Sequence, residues 1–206
     1  MAAPSSSRRT QTERRADAEA KLLASAAELI AEQGVGRTSL AQIGTRAGFS
    51  RGIVNHHFGT KARLVEELVR HSQREFASAL PASDHLTGLD ALVAFADKYL
   101  RILHRSDPRS QAFLIIWSEA AGAGRDLRAT IAKRDRRTID ALEAMIRRGI
   151  DDGSIRADAH PTAVAVSLLA ELRGLGLEAT IAPELCSLSS LREPIVARVR
   201  AGLETG

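Results

Sequence analysis

The stretch SRGIVNHHFGTK, residues 50–61, gathers arginine, asparagine, histidine and lysine at helical spacing. These side chains carry the hydrogen-bonding groups that nucleic acid requires. Arg51 can fork two donors onto a guanine edge or a phosphate, and Asn55 can pair with an adenine edge or reach a phosphate. His56 can donate to a phosphate. Gly52 has no side chain to hold the backbone away from a duplex, and Ser50 caps the helix that carries all four. Lys61 opens the next helix after its cap, Thr60. The orphan N–H groups there, together with the ammonium, make an anion site suited to a phosphate. Arg63 in that first turn opposes the helix dipole, a cost that phosphate binding would offset. His57 is expected to pack against Phe58. A metal reading of the histidine pair fails, because adjacent residues diverge on a helix and no cluster of Cys or Asp joins them.

The elements that must position these groups are legible just upstream. Leu40, Ile43 and Ala47 fall on one helical face. Thr38 or Ser39 caps that helix, and Gln42 lies three residues after Ser39, a capping-box pattern. Gly48 stands where a helix ends with positive φ. Two short helices joined by such a turn form a helix-turn-helix, whose second helix can lie in a DNA major groove. A first helix over Asp17–Gln33, with Leu22, Leu23, Ala26, Ala27, Leu29 and Ile30 inward, braces them and is stopped by Gly34 and Gly36. Charge agrees with this reading. No Asp or Glu occurs from Gln33 to Val65, and the chain's whole formal excess of +4 falls within residues 1–80. A local cationic patch is the footprint of phosphate binding. Met1–Arg15, rich in Ser and Arg, reads as a flexible basic arm that either stays solvated or follows the phosphates. It lacks the apolar core of a signal peptide.

The rest of the chain reads as helices. Apolar residues make up 44% of the sequence, with few aromatics and no alternating Val/Ile runs, so the class is all-α. Thr87 caps a helix to about His104. Asp107-Pro108 starts another, Arg125–Asp151 forms a long third, Pro161 opens an apolar fourth, and Ser189–Leu203 is the last. No apolar run is long enough to span a membrane. A lone Cys186 permits no internal disulfide and suits a reduced, cytoplasmic home. Residues 163–181 are apolar almost all round. Such a helix is central in its own domain or covered by a partner, and Leu168, Leu172 and Leu175 are the candidate contacts of a homodimer. Phe95, Tyr99, Phe113, Trp117 and Met145, from three helices, are either core or the lining of a small-molecule site, with Arg101, His104 and Glu119 near them in sequence as polar anchors. There is no phosphate-binding glycine loop, no zinc motif and no nucleophile motif, so no enzyme, cofactor or metal is expected.

The segments GVGRTSLAQIGTRAGFSRG and HHFGTKARLVEEL resemble the DNA-binding domain of the TetR family of bacterial transcriptional regulators. Asn55 stands where that family usually has Tyr, Gly44 replaces a common Ala, and Arg63 replaces a common Glu. FLIIWSEA, RDRRTIDALEAMIRRGIDDGSIRADAHP and LLAELRGLGLEATIAP resemble the BetI-type subgroup. The resemblance implies that Thr38, Ser39 and Gln42 also approach DNA. It implies an arm over 1–15, a three-helix helix-turn-helix domain over 16–60, and a helical effector-binding and dimerisation domain over 61–206, whose last two helices form a four-helix interface. The expected function is a homodimeric repressor on a palindromic double-stranded operator, released by a small-molecule effector. The alternative is a dimeric ligand-binding or architectural protein with only nonspecific DNA contacts.

Overall fold

A computed structural model describes residues 10–78, 85–105, 107–122 and 125–205. Among these, nine α-helices follow one another: α1 (Gln11–Arg37), α2 (Leu40–Ala47), α3 (Arg51–Phe58), α4 (Lys61–Ser78), α5 (Gly88–His104), α6 (Pro108–Ala120), α7 (Arg125–Asp151), α8 (Pro161–Ile181) and α9 (Leu188–Ala201). No strand occurs among the described residues. The nearest approach to one is an isolated antiparallel bridge between Ile155 and Glu204, which ties the end of the chain to the turn after α7. The all-α expectation holds. No helix among the described residues is long and apolar enough to cross a membrane.

The helix starts follow from their caps. Thr87 accepts from the Asp90 amide and sets α5. Asp107 accepts from the Arg109 and Ser110 amides, with Pro108 at the first helical position of α6. One start differs from expectation. The first helix begins at Gln11, because Thr10 and Glu13 form a reciprocal capping box (2.7 and 3.2 Å). Arg14 and Arg15 therefore ride on α1 rather than on an arm. The remainder of the expected arm, residues 1–9, lies outside the described residues.

Two apolar cores organise the chain. The first is built by Leu22, Leu23, Ala26 and Ile30 of α1 with Ile43 of α2, Val54 and Phe58 of α3, and Leu64, Val65 and Leu68 of α4. It also takes in Ala112, Ile116 and Ala120 of α6 and Ile131 of α7. The helices expected for DNA binding thus share one core with the middle of the effector half. The second core joins α5, α7, α8 and α9 through Leu92, Leu100, Leu142, Ile146, Leu169 and Ile195.

That second core corrects the interface reading. Leu172 is 0% exposed and Leu168 is buried; both fill the interior of their own protomer, and Leu175 packs partly buried against them. Large side chains of α8 turn inward because α5 and α7 leave volume there. The face left outside carries Ala163, Val166, Ala170, Gly174 and Ile181, the last 76% exposed.

Candidate nucleic-acid interface and effector cavity

The turn between α2 and α3 is closed by backbone hydrogen bonds, with Phe49 packed against the first core. Gly48 sits at φ 76°, ψ 25°, where its N–H reaches the Thr45 carbonyl (3.2 Å) and the Phe49 N–H reaches that of Gly44 (2.8 Å). That pairing is a Schellman end, which only a residue tolerant of positive φ closes cheaply. Gly44 lets the helices close up, since a Cβ there would lie 2.9 Å from the Val54 side chain and 3.0 Å from the Phe49 carbonyl. The alanine common at this position in the family would need both neighbours to give. With Val54 and Phe58 locked inward, the opposite face of α3 is fixed outward. Ser50, Arg51, Gly52, Asn55 and His56 are all exposed, and the Ser50 side chain makes no cap hydrogen bond. Arg51 makes no ion pair among the described residues. His57 is half-buried with its ring 6.0 Å from that of Phe58, as expected. Burial, reinforced by the nearby Arg15 charge, holds its imidazole below the usual histidine value.

The residues expected at the edge of this face separate into three cases. Ser39 and Gln42 are exposed and bond each other in a capping box, with Gln42 Oε1 2.8 Å from the Ser39 amide. Thr38 is corrected: it is 2% exposed, and its hydroxyl donates to the Gly34 carbonyl (2.8 Å), so its side chain has no path to a duplex. Lys61 is half-buried and has an internal task, donating to the Val35 (2.9 Å) and Gly36 (3.2 Å) carbonyls. Two of its three ammonium N–H groups are thereby engaged. Arg46, a cation within the acid-free span from Gln33 to Val65, is held by Glu32 at 2.6 and 2.8 Å and contributes little net field.

Lys61 and Thr38 converge on an elbow that sequence pattern did not reveal. At Gly34 the chain leaves helical geometry (φ 81°, ψ 167°) although helix resumes to Arg37. Val35 thereby loses its helical partner, and its N–H donates instead to Glu119 Oε1 of α6 (3.1 Å). A Cβ on Gly34 would lie 2.7 Å from that same carboxylate oxygen. Glu119 was expected to serve a ligand; it instead pins the entrance of the helix-turn-helix to the effector half.

The other end of α6 borders a cavity of about 600 Å³, walled by α1, α4, α5, α6 and α7. Tyr99 and Phe113 line it, as expected, with Ile102 and Leu103. Phe95, Trp117 and Met145 do not. Phe95 is buried in the second core and Met145 packs against it, while Trp117 packs against the first and donates from Nε1 to Asp135 (3.3 Å). Among the polar anchors expected from sequence, Arg101 is paired to Asp97 (2.7 Å) and His104 is exposed away from the lining.

The charged wall was missed. Arg134 of α7, only 8% exposed, stacks 3.7 Å over the centre of the Phe113 ring. Its Nε and Nη1 are buried with no hydrogen-bond partner among the described residues. The nearest carboxylate, Asp135 at 3.9 Å, is taken by the buried Arg173 at 2.7 and 2.5 Å. Burial drives the Arg134 guanidinium down to about 10, which still leaves it charged at neutral pH. In the sequence Arg134 and Asp135 sit in the run RDRR, which reads as an ordinary solvated patch. The only signal is that Arg134 lies one turn from the buried Ile131 on the same helix.

Known proteins match most of this arrangement. The profile "Bacterial regulatory proteins, tetR family" matches residues 22–68, and "BetI-type transcriptional repressor, C-terminal" matches residues 88–204. The regulator CymR of Pseudomonas putida is 33% identical over 100 residues, 44% of this chain and 49% of CymR. BetI of Vibrio campbellii is 25% identical over 171 residues, 80% of this chain and 81% of that protein. For CymR and for BetI of Burkholderia lata, where the share is 41%, the chain spans about half the length of the relative or less. Among solved structures, the triclosan complex of SmeT, the repressor of the Stenotrophomonas maltophilia multidrug efflux pump SmeDEF, superposes with TM-score 0.80 at 26% identity, covering 91% of this chain and 92% of SmeT. With its helix-turn-helix joined through α6 to a BetI-type carboxyl-terminal half, the chain belongs to the TetR family of bacterial regulatory proteins.

Proposed function

We propose that the chain is a sequence-specific, ligand-responsive repressor acting as a homodimer. The observation that carries this is the outward row Arg51, Gly52, Asn55 and His56 on a helix whose opposite side is locked into a core. Such a helix fits a major groove, with Arg51 and Asn55 reading base edges and Ser39, Gln42 and Ser50 gripping phosphates. One short helix makes few base contacts, and a two-fold dimer reading half-sites about 34–36 Å apart supplies the rest. The outer face of α8 with α9 is the dimer surface. Its small residues, Ala163, Ala170, Gly174 and Ala197, let a partner's helices approach closely, and Val166 and Ile181 supply apolar area.

The cavity is the effector site, and α6 is the coupling element. Phe113 lies on the cavity wall, and Glu119, roughly 9 Å further along the same helix, holds the elbow before α2. A ligand that wedges between α6 and α1 changes where that elbow sits and hence the spacing of the paired α3 helices. Release requires only that the ligand favour the arrangement that DNA disfavours. A coupling of about 1–3 kcal/mol shifts operator affinity roughly 5- to 150-fold. Selection of bound duplexes from a random pool tests the reading. A palindromic consensus with half-sites one turn or a small multiple apart is expected. Uniform weak binding with a steep salt dependence and no consensus would favour the nonspecific alternative.

A further inference from the structure

The cavity wall is unbalanced in charge. Lys98, Arg105, Arg109 and Arg134 line it against Glu28 and Asp107. Four cations thus face two acids, and one of the acids is already engaged. Asp107 spends its oxygens on the cap of α6, accepting from the Arg109 amide, the Ser110 amide and the Ser110 hydroxyl, each at 3.0 Å. Glu28 reaches out to Arg46, 3.9 Å away. Deeper in, two buried guanidiniums, Arg134 and Arg173, share the one carboxylate of Asp135, and Arg173 holds it with both terminal nitrogens. Arg134 is left over. It is a charged group nine-tenths buried, facing the cavity, with two nitrogens lacking any hydrogen-bond partner among the described residues. A buried charge in that condition is expensive, and proteins keep one where something else completes it.

We infer that the cavity takes a small monocarboxylate with an apolar or aromatic body, its carboxylate seated on Arg134. The inference rests on the reading of this cavity as the effector site. A carboxylate on the cavity side of Arg134 supplies the countercharge that Asp135 gives to Arg173, in a charge-assisted contact. The body lies on Phe113, Tyr99, Ile102 and Leu103, a mostly apolar wall of a size suited to a small ligand. Lys98, which has no ion pair among the described residues, adds attraction along the wall. A quaternary ammonium compound would instead add a positive charge beside a guanidinium already short of partners.

The test uses the full-length protein and matched probes: 2-naphthoate, 2-naphthamide and (2-naphthylmethyl)trimethylammonium, and the octanoate, octanamide and octyltrimethylammonium series. Calorimetric titration should find an acid that binds roughly 10- to 100-fold more tightly than its own amide, with the ammonium analogue weaker still. Arg134→Gln should erase the preference of acid over amide. Arg134→Met, which keeps the volume and removes the charge, should raise the melting temperature of the ligand-free protein. The proposal falls if no acid binds, if an ammonium probe binds more tightly than its acid, or if ligand-free R134M melts below the wild type. An acid that binds with the expected preference yet leaves the operator complex intact keeps the ligand class and removes the effector reading. A neutral or cationic compound that releases operator while every acid fails to bind does the reverse.

Discussion

Arg51 and Arg134 are the two arginines proposed to meet an anion, and the protein holds them in opposite ways. Arg51 stands in water at the start of α3, where its charge is solvated and costs the fold nothing. Arg134 stands under α6, buried and stacked on Phe113, where the same charge burdens the fold. The difference teaches how a reading surface and a sensing interior divide their work. Groups on the first should change binding without changing stability. Groups in the second should change stability first. A junction residue should change both.

The strongest test of the division lies deep in the interior. Leu172→Glu puts a carboxylate among Leu92, Leu100 and Leu169, at a site with no exposure and no polar partner. Unfolding of the protomer is expected, visible as loss of helical circular dichroism. The milder Leu172→Ala should cost about 2–5 kcal/mol. Ala170→Arg, on the outer face of the same helix, should leave the protomer folded and shift size-exclusion elution from dimer to monomer. If L172E elutes as a folded monomer, the inside and outside of α8 have been exchanged.

At the junction, Glu119→Ala removes the acceptor of the Val35 amide and leaves that N–H inside the elbow without a partner. A loss of about 1.5–3 kcal/mol of stability is expected, the size of a hydrogen bond to a charged group. Operator affinity should fall as well, and its response to effector should shrink. A variant that lost stability but kept its full effector response would show that coupling runs around α6.

Much of this architecture was readable beforehand, for a physical reason. Caps and breakers act locally, so Thr87, Asp107-Pro108, Gly48 and Pro161 fixed element ends where the structure has them. The outward face of α3 was legible because Val54 and Phe58 declare the opposite side. The direction of α8 was not, because a helix apolar all round gives no inward side. Size is only a partial guide there: its leucines at 168, 169 and 172 fill the core and its small residues at 163, 170 and 174 stay outside, but Ala165 and Gly176 are buried and Val166 and Ile181 exposed. The cavity was half legible. Aromatic type suggested Tyr99 and Phe113 but could not separate them from Phe95, Trp117 and Met145, which pack elsewhere. The elbow at Gly34 and its Glu119 latch depend on residues 84 positions apart, which no local pattern encodes.

On the reading surface, Arg51→Ala should leave the melting temperature within the error of the wild type. It should weaken the specific complex by about 1–3 kcal/mol, roughly 5- to 150-fold, if the guanidinium reads a guanine. Anisotropy titration against operator and scrambled duplex separates the two roles open to it. Loss on operator alone marks a base contact. Equal loss on both, with a salt slope reduced by about one, marks a phosphate contact.

The smallest effect belongs to an arginine that resembles Arg51 only in sequence. Arg46 lies five residues upstream on α2, and the charge pattern alone would place it in the same cationic patch. Its guanidinium is instead held by both oxygens of Glu32, which raises its own affinity for the proton and holds that carboxyl below the usual range. A cation already neutralised across α1 and α2 releases few counterions when DNA arrives. Arg46→Gln should therefore leave the salt slope of operator binding unchanged, where a phosphate-contacting Arg51→Ala would lower it. A slope that fell by about one in R46Q would mean that Glu32 surrenders this arginine to phosphate in the complex, and the cationic footprint would then extend onto α2.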